Sequence, residues 1–531
     1  LPPEAFFYER SLIGVEQMIR HDHGLGWVRP VRLTTPSLSD NSADMDRLLR
    51  ALSGTGPRLV ADFPLLQKVS RCLRQWDFAA RCVLFQNGEH LELLDILDPQ
   101  GECRALGVAV DLGTTRIVMR LVDLSSREIL SDTVLNNPQI SVGSDILTRI
   151  HHASTDEGAE ELKAMVCLAV DDGMETLCLQ AGVSTEQVYV VTVSGNTAMT
   201  HLFMGLPVDH IIREPYIPVT NTPGTRRADL FLSNTHPEGR VFFFPNIGSY
   251  FGGDLISGVL YSGIYRREET TLLVDVGTNA EVVLGNRDWL VACAGAAGPA
   301  LEGGVSSMGM TAGSGVIDRI SIEGEDFSVG TIDDLPPVGI CGSGFIDLAA
   351  ALFLTGMIDA KGKLVESACG ARYTHEHGLP ALVVVPGEDS GTHGPITVSQ
   401  ASLDSLVRSK AAMFTILETI VMKVGVGFDD LDRIYVAGTF GAYIDPESAI
   451  SIGMIPDLDR NRYEKIGNSS LEGATLMLYG DRYMDEADAI RNRITYVELN
   501  VDQDFMIRFS GAKFIPHTDP DLFPSVTIPK G

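Results

Sequence analysis

Two stretches of this chain carry the residue types that phosphate and metal chemistry need. The first, Gly107 to Leu124, reads GVAVDLGTTRIVMRLVDL. An apolar run, Leu106 to Val110, ends in Asp111. A Gly-Thr-Thr turn follows at Gly113, Thr114 and Thr115, and a second apolar alternation runs from Ile117 to Val122. The pattern predicts a β-hairpin with a Gly-rich turn. Its tip offers backbone N–H groups, two hydroxyls and one carboxylate. Amides and hydroxyls cradle a phosphate, and a carboxylate holds a hydrated Mg²⁺. The second stretch, Thr271 to Gly285, repeats the phrase as TLLVDVGTNAEVVLG, with Asp275 before Gly277, Thr278 and Asn279. One such turn suits an ordinary hairpin. Two in one chain point to a duplicated fold with nucleotide phosphates clamped between the halves.

Other segments place polar groups where helices begin. Asn136 to Ile150, NNPQISVGSDILTRI, puts Asp145 at a helix start, where an N-cap and a catalytic acid are equally open readings. Val188 to Val193 predicts a buried strand that turns through Ser194, Gly195, Asn196 and Thr197 into a helix, an anion site or plain capping. Pro245 to Val259 places Asp254 after glycines at another helix start. Ala294 to Gly304, Gly309 to Gly315 and Gly339 to Leu348 are glycine-dense. Residues without Cβ allow close approach to a ligand, and equally tight helix packing. Ser402 to Val424 predicts a helix with apolar Leu403, Leu406, Met413, Ile416, Leu417 and Ile420. Ile434 to Ala437 predicts a strand running into Gly438, Thr439, Phe440 and Gly441, with Ile466 to Ala474 as a loop and helix start behind that turn. Asn221 to Asp229 and residues 370 to 396 are expected to be surface loops.

The supporting chain is long. At 531 residues it suits several cores, and residues 1 to about 104 form a small domain of their own. Helical spacing marks Ser39 to Leu52 and Leu65 to Leu73, and Ala79 to Leu97 alternates like a hairpin turning at Asn87-Gly88. With 70 Asp and Glu against 41 Lys and Arg, the net charge is −29, which argues against nucleic acid as a partner. No apolar run reaches the roughly 18 residues of a membrane span, and no secretory signal opens the chain. The eight cysteines contain no C-x-x-C pair. They read as buried small hydrophobes of a reducing cytosol, so a cytoplasmic location is expected.

The order of motifs is specific. AVDLGTT, NPQISVGSDILTRI, VSGNTAM, VDVGTNAE, GPALEGG, GICGSGFID, ITVSQASLDSLVRSKAA, VAGTFGAYIDPESAISIGMIPD and GNSSLEGA follow one another, with VELN and DQDFMIRF in the tail. The paired hairpins resemble those of the actin, Hsp70 and sugar-kinase superfamily. The full order resembles the ATP-dependent reductive activators of corrinoid proteins, over nearly the whole chain. The resemblance implies an α/β fold: two ribonuclease-H-like (actin-like ATPase) halves around a nucleotide cleft, plus a small N-terminal α+β domain. The implied division is 1–104, similar to the family's middle domain, then 105–268 and 269–531, the last with a C-terminal extension.

By the same resemblance, Asp111 and Asp275 hold Mg²⁺, mostly through waters. Gly113, Thr114 and Thr115, with Gly277, Thr278 and Asn279, bind phosphates; Ser194 and Asn196, from the helix start read above, are cofactor-binding candidates beside them. Gly438 to Gly441 lie against the adenosine, with Glu302 and Ser343 on the ribose side. Asp145 and Asp254 are the candidates for the acid that orients the attacking water. The implied activity is ATP-driven reduction of an inactive Co(II) corrinoid protein to Co(I) in a methyl-transfer system. A homodimer is compatible with this reading.

One departure stands out. Family members carry an N-terminal plant-type [2Fe–2S] domain, whose C-x₄-C-x₂-C motif is not in this sequence. With Leu1 as first residue, the expectation is a chain whose cluster domain was removed or is naturally missing. The cluster is therefore expected in a full-length protein and not on this chain. A sugar-type kinase, an Hsp70-like chaperone and an actin-type filament share the hairpins. Their sugar pocket and peptide-binding domain find no match in the sequence, and the long motif order fits the activators.

Overall fold

The computed structural model describes residues 26–53, 58–88, 90–277, 280–295, 309–310, 312–324, 326–438, 444–499 and 504–529. The chain forms two compact units, Leu1–Tyr261 with Ser469–Arg493, and Ser262–Asn468 with Ile494–Gly531.

The first unit begins with a four-stranded sheet of order β1-β3-β4-β2. Its strands are β1 (Val28–Arg32), β2 (Arg58–Ala61), β3 (Ala79–Asn87) and β4 (His90–Leu97). Helices Asp44–Ser53 and Phe63–Gln75 accompany it, with Leu48, Leu65, Val69 and Leu73 buried. The β3–β4 hairpin turns where expected, with Gly88 at φ +59°, a backbone that glycine adopts without Cβ strain. The strands β1 and β2 were not legible in advance.

A six-stranded sheet follows in the order β7-β6-β5-β8-β10-β9. It comprises β5 (Leu106–Leu112), β6 (Arg116–Asp123), β7 (Ile129–Asn136), β8 (Val188–Gly195), β9 (Gly224–Arg227) and β10 (Arg240–Phe243). Strand β5 pairs antiparallel with β6 and parallel with β8. Its uninterrupted apolar run suits a strand covered on both faces, and Leu106, Val108, Ala109 and Val110 are all fully buried. Strand β7 alternates between exposed and partly buried positions, as an edge strand does. The long helix Asp156–Ala181, capped by the Thr155 hydroxyl and ended by Gly182 at φ +67°, supplies Leu162, Val166, Val170, Met174 and Leu177 to one core.

The second unit repeats this plan. Its main sheet runs β21-β20-β11-β12-β13-β22. The strands are β11 (Thr271–Val276), β12 (Ala280–Gly285), β13 (Leu290–Gly295), β20 (Arg433–Ala437), β21 (Tyr463–Gly467) and β22 (Ile494–Tyr496). As in the first sheet, the first three strands pair antiparallel and the next two join in parallel. Between β13 and β20 lie two three-stranded sheets, ordered β15-β14-β16 and β17-β18-β19. They contain β14 (Val316–Glu323), β15 (Asp326–Thr331), β16 (Gly339–Ile340), β17 (Tyr373–Glu376), β18 (Leu379–Val385) and β19 (Ile396–Ser399). The helix Gln400–Val424 buries all six apolar residues expected of it. The duplicated α/β architecture implied by the twin hairpins is thus the one each unit adopts.

Three expectations need correcting. Asn221 to Asp229 is not all loop: β9 closes the sheet edge by pairing antiparallel with β10. Residues 370 to 396 are not a surface excursion, because Ala381, Leu382, Val384, Val385 and Ile396 are buried in the second unit's core. Among the cysteines, Cys103 is exposed and Cys72 partly so, while the other six are buried.

The helix Ser469–Met477 begins just past β21, whose Gly467 pairs with Ala437 beside the Gly438 turn, and it packs on β5 and β8 of the first unit. Trp27 Nε1 donates to its Met477 carbonyl at 2.9 Å, and Thr192 Oγ1 to its Ala474 carbonyl at 2.8 Å. Arg120 on β6 is buried between Asp132 and Glu472, the latter at 2.8 Å. A Cβ on Gly473 would lie 2.1 Å from the carbonyl oxygen of Ser257.

That contact makes a prediction with a diagnostic sign. In an open helix, Gly→Ala stabilises by up to about 1 kcal/mol. Here the methyl meets backbone, so Gly473→Ala should instead destabilise by about 1–3 kcal/mol. Thermal unfolding would read a lower melting temperature, and a raised one would refute the docking of this helix.

Candidate functional site

Strand β5 delivers Asp111 to its end, in register with Ser194 on β8 and Val118 on β6. The turn Gly113–Thr115 beyond it is held on three sides. Asn137 Nδ2 donates to the Gly113 carbonyl at 2.9 Å, and its backbone N–H to the Thr115 carbonyl at 2.8 Å. Arg149 Nη2 donates to the Thr114 carbonyl at 2.7 Å. Asn196 Nδ2 reaches Thr114 Oγ1 at 3.2 Å. A Cβ at Gly113 would sit 2.4 Å from the Arg116 carbonyl, so the tight turn requires glycine there.

Asn196 also caps the helix Thr197–Met204, accepting from the Met199 N–H at 2.9 Å. The structure therefore joins the hairpin turn to a helix N-terminus, two arrangements of backbone amides that favour an anion. Beneath them, Arg149 is buried, and its remaining contacts are the Gly143 carbonyl, Gln139 Oε1 and Met199 Sδ. No carboxylate lies within ion-pair distance of it among the described residues. Burial pulls its guanidinium down to about 10, so it stays charged at neutral pH. Arg149 was not singled out from sequence, where it is one basic residue on a short helix.

Asp254 lies in the first turn of helix Gly253–Ser262. Its carboxylate accepts the Leu255 N–H at 2.9 Å. Burial, and then the charge of Asp111, push it up to about 7. Gly252 makes room for this approach: a Cβ there would lie 2.5 Å from Asn196 Cα and 2.6 Å from Asp254 Oδ1. A carboxylate held close to a second one, its proton affinity raised by that neighbour's charge, forms with it a donor set that fits a hard divalent cation with its waters.

Two other candidates are spent elsewhere. Asp145 is the N-cap of helix Ile146–His152, accepting from Thr148 N at 2.9 Å and Thr148 Oγ1 at 2.8 Å. Those bonds hold its carboxyl below the usual range, so the capping reading accounts for it. Ser194 is buried on β8, its hydroxyl between Ser257 Oγ and Ser470 Oγ at 2.6 and 2.9 Å, not presented to an anion. Ser470 Oγ in turn donates to Asp111 Oδ1 at 2.7 Å. Ser257 and Ser470 escaped the sequence reading because each is an ordinary small residue in a helix.

In the second unit, Asp275 ends β11 in register with Ala437 on β20 and Glu281 on β12. Gly438 follows β20 at φ +86°, and a Cβ on it would sit 2.7 Å from Asp275 Oδ1. The strand–glycine junction is thus pressed against the acid, with Gly277 at the hairpin turn. Ser343 is buried in the first turn of helix Gly342–Leu354, its hydroxyl 3.2 Å from Cys341 Sγ. Thr278, Asn279, Glu302, Thr439, Phe440 and Gly441 lie outside the described residues.

Burial pushes the thiols of Cys82, Cys167 and Cys293 up to about 12 and of Cys178 to about 11, so these four are protonated at neutral pH. Among the described residues no three of His, Cys, Asp or Glu gather as a metal set. No helix there is long and apolar enough to cross a membrane.

Asp254 gives a pH-dependent prediction. Folded, it keeps a proton to about 7; unfolded, it loses it near 3.8. The folded state therefore binds more protons between those values, and stability falls as pH rises through them. In chelator and without nucleotide, Asp254→Asn should melt a few degrees above the parent at pH 8 and level with it at pH 4. Equal melting at pH 8 would show that Asp254 is not strained by its surroundings.

Three protein-family models match the chain: RACo linker region over residues 27–102, RACo middle region over 106–267, and C-terminal domain of RACo, the ASKHA domain, over 269–527. The name "middle" thus falls on the first hairpin-bearing half, and the small domain compared above with a middle domain carries the name "linker". The corrinoid activation enzyme RamQ of Eubacterium limosum is 30% identical over 410 residues, covering 75% of this chain and 68% of its own length. The Co(II) methylated amine-specific corrinoid protein reductase of Methanosarcina barkeri is 24% identical over 420 residues, 73% of each chain. A solved structure titled reductive activator for corrinoid, iron-sulfur protein has a TM-score of 0.87 at 37% identity, over 95% of this chain and 82% of the other. By sequence and by fold, this chain belongs to the RACo family of corrinoid reductive activators.

Proposed function

We propose that this chain binds ATP with Mg²⁺ and uses it to drive reduction of a corrinoid protein from Co(II) to Co(I) within a methyl-transfer system. Membership of the reductive-activator family carries this reading. Asp111 and Asp275 would hold the cation through waters. The amides of the Gly113–Thr115 turn and of the helix after Asn196 would cradle phosphates, with Arg149 beneath adding positive potential. Asp254 is the better placed of the two acids to orient a water, since Asp145 is engaged in capping. Bound Mg²⁺–ATP supplies a reactive phosphoryl group and its charge; this chain's residues position and neutralise it.

The cobalt step is a one-electron reduction, and for such a step about 59 mV corresponds to a tenfold change in equilibrium. ATP would contribute by favouring a conformation that alters the partner's grip on its corrinoid. The electron would enter through a redox centre held by another domain or protein.

ATP turnover should rise when a corrinoid protein in the Co(II) state is added. Asp111→Ala and Asp275→Ala should each abolish turnover, because each removes a fixed charge beside the cation. Parent rates in both variants would overturn the site assignment. A turnover indifferent to the Co(II) protein would overturn the partner.

A further inference from the structure

Behind Asp111 runs a buried file of hydroxyls. Ser470 Oγ donates to Asp111 Oδ1 at 2.7 Å. Ser194 Oγ lies 2.9 Å from Ser470 Oγ and 2.6 Å from Ser257 Oγ. Ser257 Oγ reaches the Asp254 carbonyl at 2.8 Å. All three serines are buried.

A hydroxyl carries one hydrogen, so four short contacts share three hydrogens. While Ser470 serves Asp111, one oxygen–oxygen contact goes without, an unfavourable arrangement away from water. If Asp111 releases that hydrogen, the file completes: Ser470 donates to Ser194, Ser194 to Ser257, and Ser257 to the Asp254 carbonyl. Waters around a cation held by Asp111 can take over its carboxylate. The file also ties β8 to helices Gly253–Ser262 and Ser469–Met477, the segments where the chain leaves the first unit and returns to it.

We propose that Ser470 is a positioning residue for the hydrated cation: its hydroxyl holds Asp111 when no cation is present and turns to Ser194 when the cation's waters take its place. Cation binding is thereby linked to completion of the Ser470–Ser194–Ser257 file. This rests on the reading of Asp111 as a holder of Mg²⁺.

The test is a Mg²⁺ titration of binding to a fluorescent ATP analogue, paired with melting temperatures in Mg²⁺ plus analogue and in chelator. In Ser470→Ala, two hydrogens serve two contacts whatever happens at Asp111, so the linkage is gone. Half-saturating Mg²⁺ should fall roughly two- to tenfold, because the cation no longer has to displace a hydrogen bond from Asp111. Ser470→Thr, which keeps a hydroxyl, should restore the parent value. Ser194→Ala leaves the displaced Ser470 hydrogen without its buried acceptor, so half-saturating Mg²⁺ should rise instead, and the double variant should match Ser470→Ala. Ser470→Ala should lose melting temperature mainly in chelator, and Ser194→Ala mainly with Mg²⁺ and analogue. Equal losses in both conditions with unchanged half-saturation would mean a purely structural role and overturn the proposal, as would additive effects. Asp111→Asn separates the two levels. If it binds the analogue with parent Mg²⁺ dependence, the underlying reading fails. If it loses that dependence while Ser470→Ala retains it, only the role of Ser470 fails.

Discussion

The first unit depends on the closeness of two helix backbones. Gly473 and Ser257 approach so nearly that no side chain fits between them. That approach brings helix Ser469–Met477, from late in the chain, onto β5 and β8, and with it Ser470 and Glu472. Ser470 then reaches Asp111, and Glu472 neutralises buried Arg120. Without this docking, Asp111 would lose a hydrogen-bond donor, and Arg120 would keep only Asp132, leaving a buried cation less fully paired. The helix Ser469–Met477 is therefore part of the site on the first hairpin and not merely its neighbour.

Electrostatics at this site run against apo stability. Asp254 is pushed toward neutrality by burial and by Asp111, while Arg149 sits under the Thr114 carbonyl with neutral partners. A site that holds acids near each other and a cation near a phosphate-type turn is strained when empty and relieved by ligands of complementary charge. Strain of this kind is common where binding, not stability, sets the residues.

The small N-terminal sheet is bound to the first six-stranded sheet through charge. Asp95 on β4 meets Lys68, the Tyr189 hydroxyl at 2.8 Å and His236 at 3.5 Å. Burial works against its charge, but the bonds from His236, Lys68 and Tyr189 outweigh it and hold the carboxyl below its usual range. Nearby, buried Arg240 pairs with Glu92 at 2.5 Å and Asp62 at 3.3 Å. Removing one member of such a set would leave a buried charge unmatched, which costs more than the set contributes. The linker region is thus fixed to the middle region by a network whose partners are distant in sequence.

What the sequence determined by itself is local and periodic. Asp111 and Asp275 at strand ends, the Gly-Thr turns, the cap at Asn196 and the helix Gln400–Val424 all follow from patterns within about 25 residues, where backbone geometry and alternation dictate the outcome. The duplicated plan was legible because the same phrase occurs twice. Tertiary structure decided what depends on distant partners. It made Asp145 a cap and turned Ser194 inward. It drew β9 and β18 out of apparent loops, because a sheet edge and an apolar core were there to receive them. It sent residues 469–493 to the first unit. A serine in a helix carries no mark of the carboxylate it will meet, since that depends on which backbones can touch, and only packing settles that.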